Sequence, residues 1–309
     1  MNPKPGWARN LLIRGTKSQI PNKYKIPNSN VPNGIRPAIR KRHMKLAFIA
    51  DNDPDGMERD AAFAAQHGFD ALEFNHWGSF SDLTDETVAR TRALLDRHGI
   101  KACSLGLWGW NLLAPDPPER QEAHRMLNRS ISFAQVLGAD VLIFGAGEIP
   151  DASLSEKVAA FREMYPSFRE KILESGLTPA LYAVHGNSFL DSLEAYSAVW
   201  EHFPELTIKF DPANWMHQGQ DYLDILRRHG DRIGHVHVKE HLYMGGKLVS
   251  QPAAGMGDVA WGKVMAFLYE HHYDGHLCFE PHGGIWSRGE MKEKMLLLSK
   301  KHLSQFLMP

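Results

Sequence analysis

Ile233-Gly234-His235-Val236-His237-Val238-Lys239 reads as a buried β-strand, because Ile233, Val236 and Val238 are apolar. Strand side chains alternate between faces, so His235, His237 and Lys239 share one. Two imidazoles and an ammonium on an inward face are costly unless something uses them. A divalent metal ion would meet that cost. Partners for it stand at the ends of other apolar runs: Asp211 after 206–210, His185 after 180–184 and Glu280 after 277–279.

From Met44 onward the same kind of run recurs. Strand-like segments fall at 45–50, 70–75, 101–107, 139–145, 179–185, 206–211, 233–238 and 276–281. Segments with helical spacing lie between most of them, at 57–67, 85–98, 118–137, 153–175, 190–203, 221–229, 261–272 and 289–306. Glycines at 68, 99, 138 and 176 follow four of these helices, where a left-handed residue stops the turn. Eight strand–helix units predict an α/β chain folded as a (β/α)8 TIM barrel over 44–309. A doubly wound open sheet is the alternative. It needs a glycine-rich phosphate turn after the first strand, and Asp51-Asn-Asp-Pro-Asp-Gly56 is not one.

A barrel places its chemistry at the carboxyl ends of the strands. Polar residues gather there in every unit: Asp51-Asn52; Glu73 with Asn75-His76; Trp108 and Trp110-Asn111; Glu148; His185-Gly-Asn187; Asp211-Pro-Ala-Asn214; His237-Val-Lys239; and Glu280-Pro-His282. The set Asp211, His237, Glu280 and His185 mixes nitrogen and oxygen donors. That suits Mn²⁺, Zn²⁺, Co²⁺ or Fe²⁺ and is less typical of Mg²⁺. Asp211-Pro-Ala-Asn214 also reads as an ordinary Asx turn, with Asn214 orienting the carboxylate or meeting substrate. Glu73, between Leu72 and Phe74, is either a substrate-binding carboxylate or the partner of a barrel lysine in a salt bridge. Tryptophans 77, 108, 110, 215 and 286 near strand ends serve either as sugar-stacking faces or as rim packing.

Composition excludes several classes. Of 309 residues, 43% are hydrophobic and 23% charged, which describes a globular chain. Apolar runs are strand-sized, well under the roughly 20 residues that cross a bilayer. Cys103 and Cys278 both lie in apolar runs and read as buried thiols, so a cytoplasmic location is expected. Ten of the 35 basic residues precede Met44 with no acid among them, leaving 25 basic against 36 acidic residues after it. An acidic body argues against nucleic acid, which demands a basic stripe. Residues 1–43 are rich in Pro and Asn without hydrophobic period. They are expected to be an extension ahead of a start at Met44, a disordered basic arm, or a targeting peptide.

Six segments carry a resemblance: Asn111-Leu-Leu-Ala-Pro-Asp-Pro-Pro-Glu-Arg120, Ala134-Gln-Val-Leu-Gly-Ala139, Phe210-Asp-Pro-Ala-Asn214, Arg232-Ile-Gly-His-Val-His-Val-Lys-Glu240, Gly255-Met-Gly-Asp-Val-Ala-Trp261 and Tyr273-Asp-Gly-His-Leu-Cys-Phe-Glu280. From Met44 the chain resembles the xylose isomerase-like TIM-barrel superfamily, the sugar phosphate isomerase/epimerase group that also contains endonuclease IV. The resemblance implies a divalent metal held by strands 5 to 8, carried here by Asp211, His237 and Glu280. The strand-5 ligand of the group is commonly Glu. Here that place falls near Tyr182 or Ala183, and His185 is the available substitute. Two-base epimerisation, which uses that Glu, is thereby put in doubt.

The expected activity is that of a metal-dependent sugar isomerase/epimerase-type enzyme working on a sugar, keto-sugar or polyol derivative through an enediolate. Glu280 would move a proton, with His185, His235 or Lys239 as its counterpart. Glu73, His76, Trp108, Asn214 and His235 are the expected substrate contacts, with His235 alternatively standing behind a metal ligand. Two alternatives stand beside it: a lyase or deglycosidase eliminating from 3-keto-glycosides, and a catalytically quiet sugar-binding barrel serving as a partner subunit. Homo-oligomers are common in the resemblance group; no membrane or nucleic-acid partner is expected.

Overall fold

The computed structural model describes residues 43–77, 84–183 and 186–308. Eight strands close into a parallel barrel: β1 (Lys45–Ile49), β2 (Ala71–Trp77), β3 (Lys101–Trp108), β4 (Val141–Gly145), β5 (Thr178–Tyr182), β6 (Thr207–Phe210), β7 (Ile233–Val238) and β10 (His276–Phe279). The ring runs β1-β2-β3-β4-β5-β6-β7-β10 and closes through β1–β10 pairing. Around it stand α1 (Pro54–His67), α2 (Asp85–His98), α3 (Pro117–Leu137), α4 (Leu154–Met164), α5 (Pro166–Glu174), α6 (Leu193–Trp200), α7 (Pro212–His217), α8 (Tyr222–His229), α9 (Trp261–Glu270) and α10 (Gly289–Ser304). This is the (β/α)8 barrel expected from the alternation.

Local signals explain most element ends. Asp53, Thr84, Asp116 and Ser153 accept backbone N–H bonds at the starts of α1 to α4, and Ser153 forms a reciprocal capping box with Glu156. Gly68 and Gly99 end α1 and α2 in the left-handed region, at φ 66° each. Phe48, Leu72, Phe144, Ile208, Val236 and Phe279 are buried against the helices in one continuous outer core. The barrel strands are thus apolar on the helix side, as both-face burial in a parallel sheet requires.

Three features depart from the expected segments. The helix expected at 153–175 is two helices, because Pro166 cannot donate to the carbonyl four residues back and its ring crowds that carbonyl. Asp211-Pro-Ala-Asn214 is more than a turn: Asp211 caps the short helix α7. Between β7 and α9 lies a hairpin, β8 (Leu242–Met244) with β9 (Lys247–Ser250), joined through Gly245 and Gly246, both at positive φ.

Two register shifts prepare the site. Opposite β2, Leu72 pairs with Ala102 but Glu73 pairs with Ser104, so Cys103 is the extra residue. Opposite β6, Ile208 pairs with Ile233 but Lys209 pairs with His235, so Gly234 is the extra residue. A Cβ on Gly234 would collide with the Thr207 hydroxyl, so the bulge that brings Lys209 level with His235 depends on glycine. The barrel interior is finished by small side chains (Ala47, Ala71, Cys103, Cys278) and by Trp108, Val141, Ile143, Ala180 and Tyr182. Both cysteines are free and buried. Among the described residues no helix is long and apolar enough to cross a membrane. The expectations for residues 1–43 fall on positions that, up to residue 42, lie outside the described residues.

Candidate active site

Asp211, His237 and Glu280 come together at the carboxyl ends of β6, β7 and β10, with one donor atom from each lying within 4.8 Å of the others. The three are buried or nearly so, and His237 and Glu280 line a cavity of about 420 Å³ at the barrel mouth. Asp211 is fixed by its own helix: Oδ1 accepts the Asn214 backbone N–H at 3.0 Å and Oδ2 accepts the Asn214 side-chain amide at 2.7 Å. Glu280 Oε2 lies 2.8 Å from His237 Nδ1.

A saturated carboxylate sits beneath them. Glu73, fully buried, accepts from Ser104 Oγ at 2.7 Å, from His235 Nε2 at 2.7 Å and from His237 Nε2 at 2.8 Å. With Nε2 bonded to Glu73, the His237 Nδ1 is the nitrogen aimed at Glu280 and the cavity. A carboxylate behind an imidazole in this way fixes the ring and its tautomer for ligation. Lys239 adds a positive charge between the other two acids, its Nζ 3.3 Å from Glu280 Oε1 and 3.6 Å from Asp211 Oδ2. Lys209 Nζ lies 3.1 Å from Asp211 Oδ2 and 5.3 Å from the centroid of the Trp108 ring.

The charges shift one another accordingly. Burial alone would raise Glu280, but Lys239 and His237 hold its carboxyl well below the usual range. Burial likewise opposes ionised Glu73, and its imidazole partners hold it well below the usual range. Asp211 is lowered against burial by Lys239 and Lys209. Burial pushes the His237 imidazole down, yet Glu73 and Glu280 leave it above the ordinary histidine range. His235 goes the other way, with burial outweighing Glu73. Lys239 stays charged because Asp211 and Glu280 outweigh its burial.

These residues fit a divalent cation. One imidazole and two carboxylates form a three-donor set of the kind catalytic sites use, leaving positions open. The Lys239 ammonium lies within 3.6 Å of an oxygen of each acid, so the Asp211 and Glu280 carboxylates together attract positive charge. A second donor group, Glu73, Cys103, His235 and Cys278, lies sealed inside the barrel. Its carboxylate already accepts from Ser104, His235 and His237, and burial keeps the Cys278 thiol protonated, so that group is complete without an ion.

The other expected residues divide. Trp108 lines the cavity, held by its indole N–H donating to Asn75 Oδ1 at 2.6 Å, and Asn214 lines it too. Glu73 and His235 do not: both are fully buried, and their polar contacts are with each other and the barrel interior. The expectation that they touch substrate is corrected by that depth. The partners of Glu73 are two imidazoles and a serine hydroxyl rather than the barrel lysine of the alternative reading. The His76 side chain and His185 lie outside the described residues. Among the remaining tryptophans, Trp215 is buried and Trp110 and Trp286 pack against the core at the rim.

Several cavity residues were not anticipated. Lys209 could have been found, since it is two residues before Asp211 and shares its face. His217, His241, Leu248 and Gln251 arrive from α7 and the hairpin, and only chain folding brings them to the mouth. Glu240 was missed as a support. Its buried carboxylate accepts the backbone N–H of Gly255 and Val259 and the indole N–H of Trp261, each at 3.0 Å, and so fastens the loop of the Gly255–Trp261 motif beside the site.

Comparison with known proteins follows the fold. The family described as "Xylose isomerase-like TIM barrel" matches residues 61–301. No curated protein matches the sequence. Among solved structures, D-allulose 3-epimerase from Methylomonas sp. is 19% identical with a TM-score of 0.70, covering 86% of this chain and 98% of that one. The IOLI protein crystallised with a zinc atom is 15% identical, TM-score 0.68, covering 85% and 98%. The 3-keto-D-glucoside 4-epimerase YcjR from E. coli is 14% identical, TM-score 0.64, again covering 85% and 98%.

Proposed function

The chain belongs to the xylose isomerase-like TIM barrel family, and from that premise we propose that it is a divalent-metal-dependent sugar isomerase acting on an uncharged sugar, keto-sugar or polyol derivative. The observation that carries this reading is the convergence of Asp211, His237 and Glu280, with one donor atom from each within 4.8 Å of the others and with His237 and Glu280 lining the cavity. Those three residues would hold the ion, with Mn²⁺ or Zn²⁺ suiting the mixed donors best. When bound, the ion would supply Lewis-acid stabilisation of the negative charge that develops as a C–H next to a carbonyl is deprotonated.

The protein's own groups do the rest. Glu280, part-exposed to the cavity and kept ionised by Lys239 and His237, takes the proton from the carbon beside the carbonyl and delivers it to the former carbonyl carbon, while the hydroxyl proton passes to the old carbonyl oxygen. Asn214 and the indole face of Trp108 position the ring, and Asn75 fixes the indole. Among the described residues no arginine lines the cavity, and both lining lysines are paired with Asp211 or Glu280. That supports a substrate without phosphate.

The strand-5 corner favours chemistry with one base. Tyr182 ends β5, and burial pushes its phenol up to about 12, so it stays protonated near neutral pH. The same corner gives a second reading: elimination from a 3-keto-glycoside, which also needs one base. The deciding experiment incubates Mn²⁺- or Zn²⁺-loaded protein in D₂O with ketohexoses, aldohexoses and 3-keto-glucosides, following deuterium at carbon and aglycone release. Exchange with an isomerised product supports the isomerase, and Glu280→Gln then lowers the rate by about 10²–10⁴. Aglycone release selects the lyase. No exchange with any substrate would leave a quiet sugar-binding barrel.

A further inference from the structure

Two ammonium groups compete for the oxygens that a divalent cation would use. Lys209 Nζ and Lys239 Nζ lie 3.1 and 3.6 Å from the same Asp211 oxygen, and Lys239 also lies 3.3 Å from Glu280. Neither is a surface lysine free to swing into water, for their side chains are 2% and 6% exposed. Lys209 is pinned further by the Trp108 face, and that indole is pinned by Asn75. Tyr182 and Ala183 at the end of β5 bring no carboxylate to offset the two charges.

We propose that Lys209 and Lys239 are resident cations that keep the Asp211–His237–Glu280 site assembled when empty and make its metal ion exchangeable, so that occupancy follows the free concentration of the ion. This rests on the reading of those three residues as the metal site. Carboxylates clustered without a cation repel one another and disorder the pocket. Here the ammonium groups neutralise them, so the folded site does not depend on the metal. The same charges oppose an incoming dication, because buried positive groups interact across a poorly screening medium. A site of unpaired anions would bind its ion tightly and collapse without it; this arrangement does neither.

The test deletes one charge and keeps the bulk. Lys209→Met preserves the stem against Trp108 and leaves Asp211 less neutralised. Isothermal titration with Mn²⁺ and with Zn²⁺ alone should show the variant binding at least tenfold tighter than the native protein, a difference of about 1.4 kcal/mol. Saturating metal should also raise its Tm more than it raises that of the native protein. Metal-free, the variant should melt lower. Lys239→Met and Lys209→Gln, measured in parallel, carry the test if Lys209→Met does not fold. Asp211→Asn should abolish binding in either background. Equal metal affinity in the native protein and the Lys→Met variants would overturn the proposal and leave the metal site standing. No binding by any of them, Lys→Met variants included, would overturn both.

Discussion

Glu73→Gln removes one charge from the floor of the site and nothing from its shape. Glu73 accepts three hydrogen bonds of 2.7–2.8 Å from Ser104, His235 and His237. Gln keeps one acceptor oxygen but turns the other into a donor facing a donor, and the charged partner of His237 disappears. Breaking a buried ion pair from one side costs about 3–5 kcal/mol. At roughly 2–4 °C per kcal/mol for a domain of this size, Tm should fall by roughly 6–20 °C. Loss of the carboxylate behind a metal-ligating imidazole should also weaken metal binding about 10–100-fold. Urea unfolding at pH 7 with an unchanged slope, together with titration calorimetry, reads both effects. Ser104→Ala, which removes one neutral donor, should cost only about 1 kcal/mol. A Gln variant within about 1 kcal/mol of the native protein, binding metal as well as it does, would refute the view that Glu73 holds His237 for ligation.

Gly234→Ala should destabilise by about 1–3 kcal/mol, since its Cβ meets the Thr207 hydroxyl. Calorimetric melting should show Thr207→Ala recovering part of that loss in the double variant. His276 is buried, and burial, reinforced by His235, lowers its pKa to about 3. Its folded pKa lies below the unfolded 6.5, so the stability it contributes is present above 6.5 and is lost as pH falls toward 3. Native stability should therefore drop by about 2 kcal/mol between pH 6 and 4.5 from this residue, and urea unfolding of His276→Leu should show a shallower acid slope. An unchanged slope would place the acid sensitivity elsewhere. Trp108→Ala should cost about 3–5 kcal/mol of stability, and in sugar-binding titrations it should weaken affinity more than Trp286→Ala does.

The barrel was legible because its signal is local and repeated eight times. Alternating apolar runs, helical segments and a glycine after each of several helices need no tertiary information. The pairing of chemistry with strand ends was legible for a similar reason: a period of two puts His235, His237 and Lys239 on one face wherever the strand lies. The same rule applied to β6 would have exposed Lys209. The break at Pro166 and the Gly245-Gly246 hairpin were also written in the chain, since each rests on a backbone property of one or two residues.

Depth along the strand was not legible. Period two says that His235 and His237 face inward, yet only the stagger of neighbouring strands tells which reaches the cavity and which stays beneath it. The two bulges shift that stagger, turning Glu73 from an expected substrate contact into the anchor of His237 and bringing Lys209 level with His235. Sequence by itself therefore determined the barrel, because alternation is chain-local, and put Asp211, His237 and Glu280 at strand ends, while the family resemblance rested on the six motif segments. Tertiary structure alone decided which charges touch. Contact between residues 164 positions apart, as between Glu73 and His237, depends on how the barrel closes.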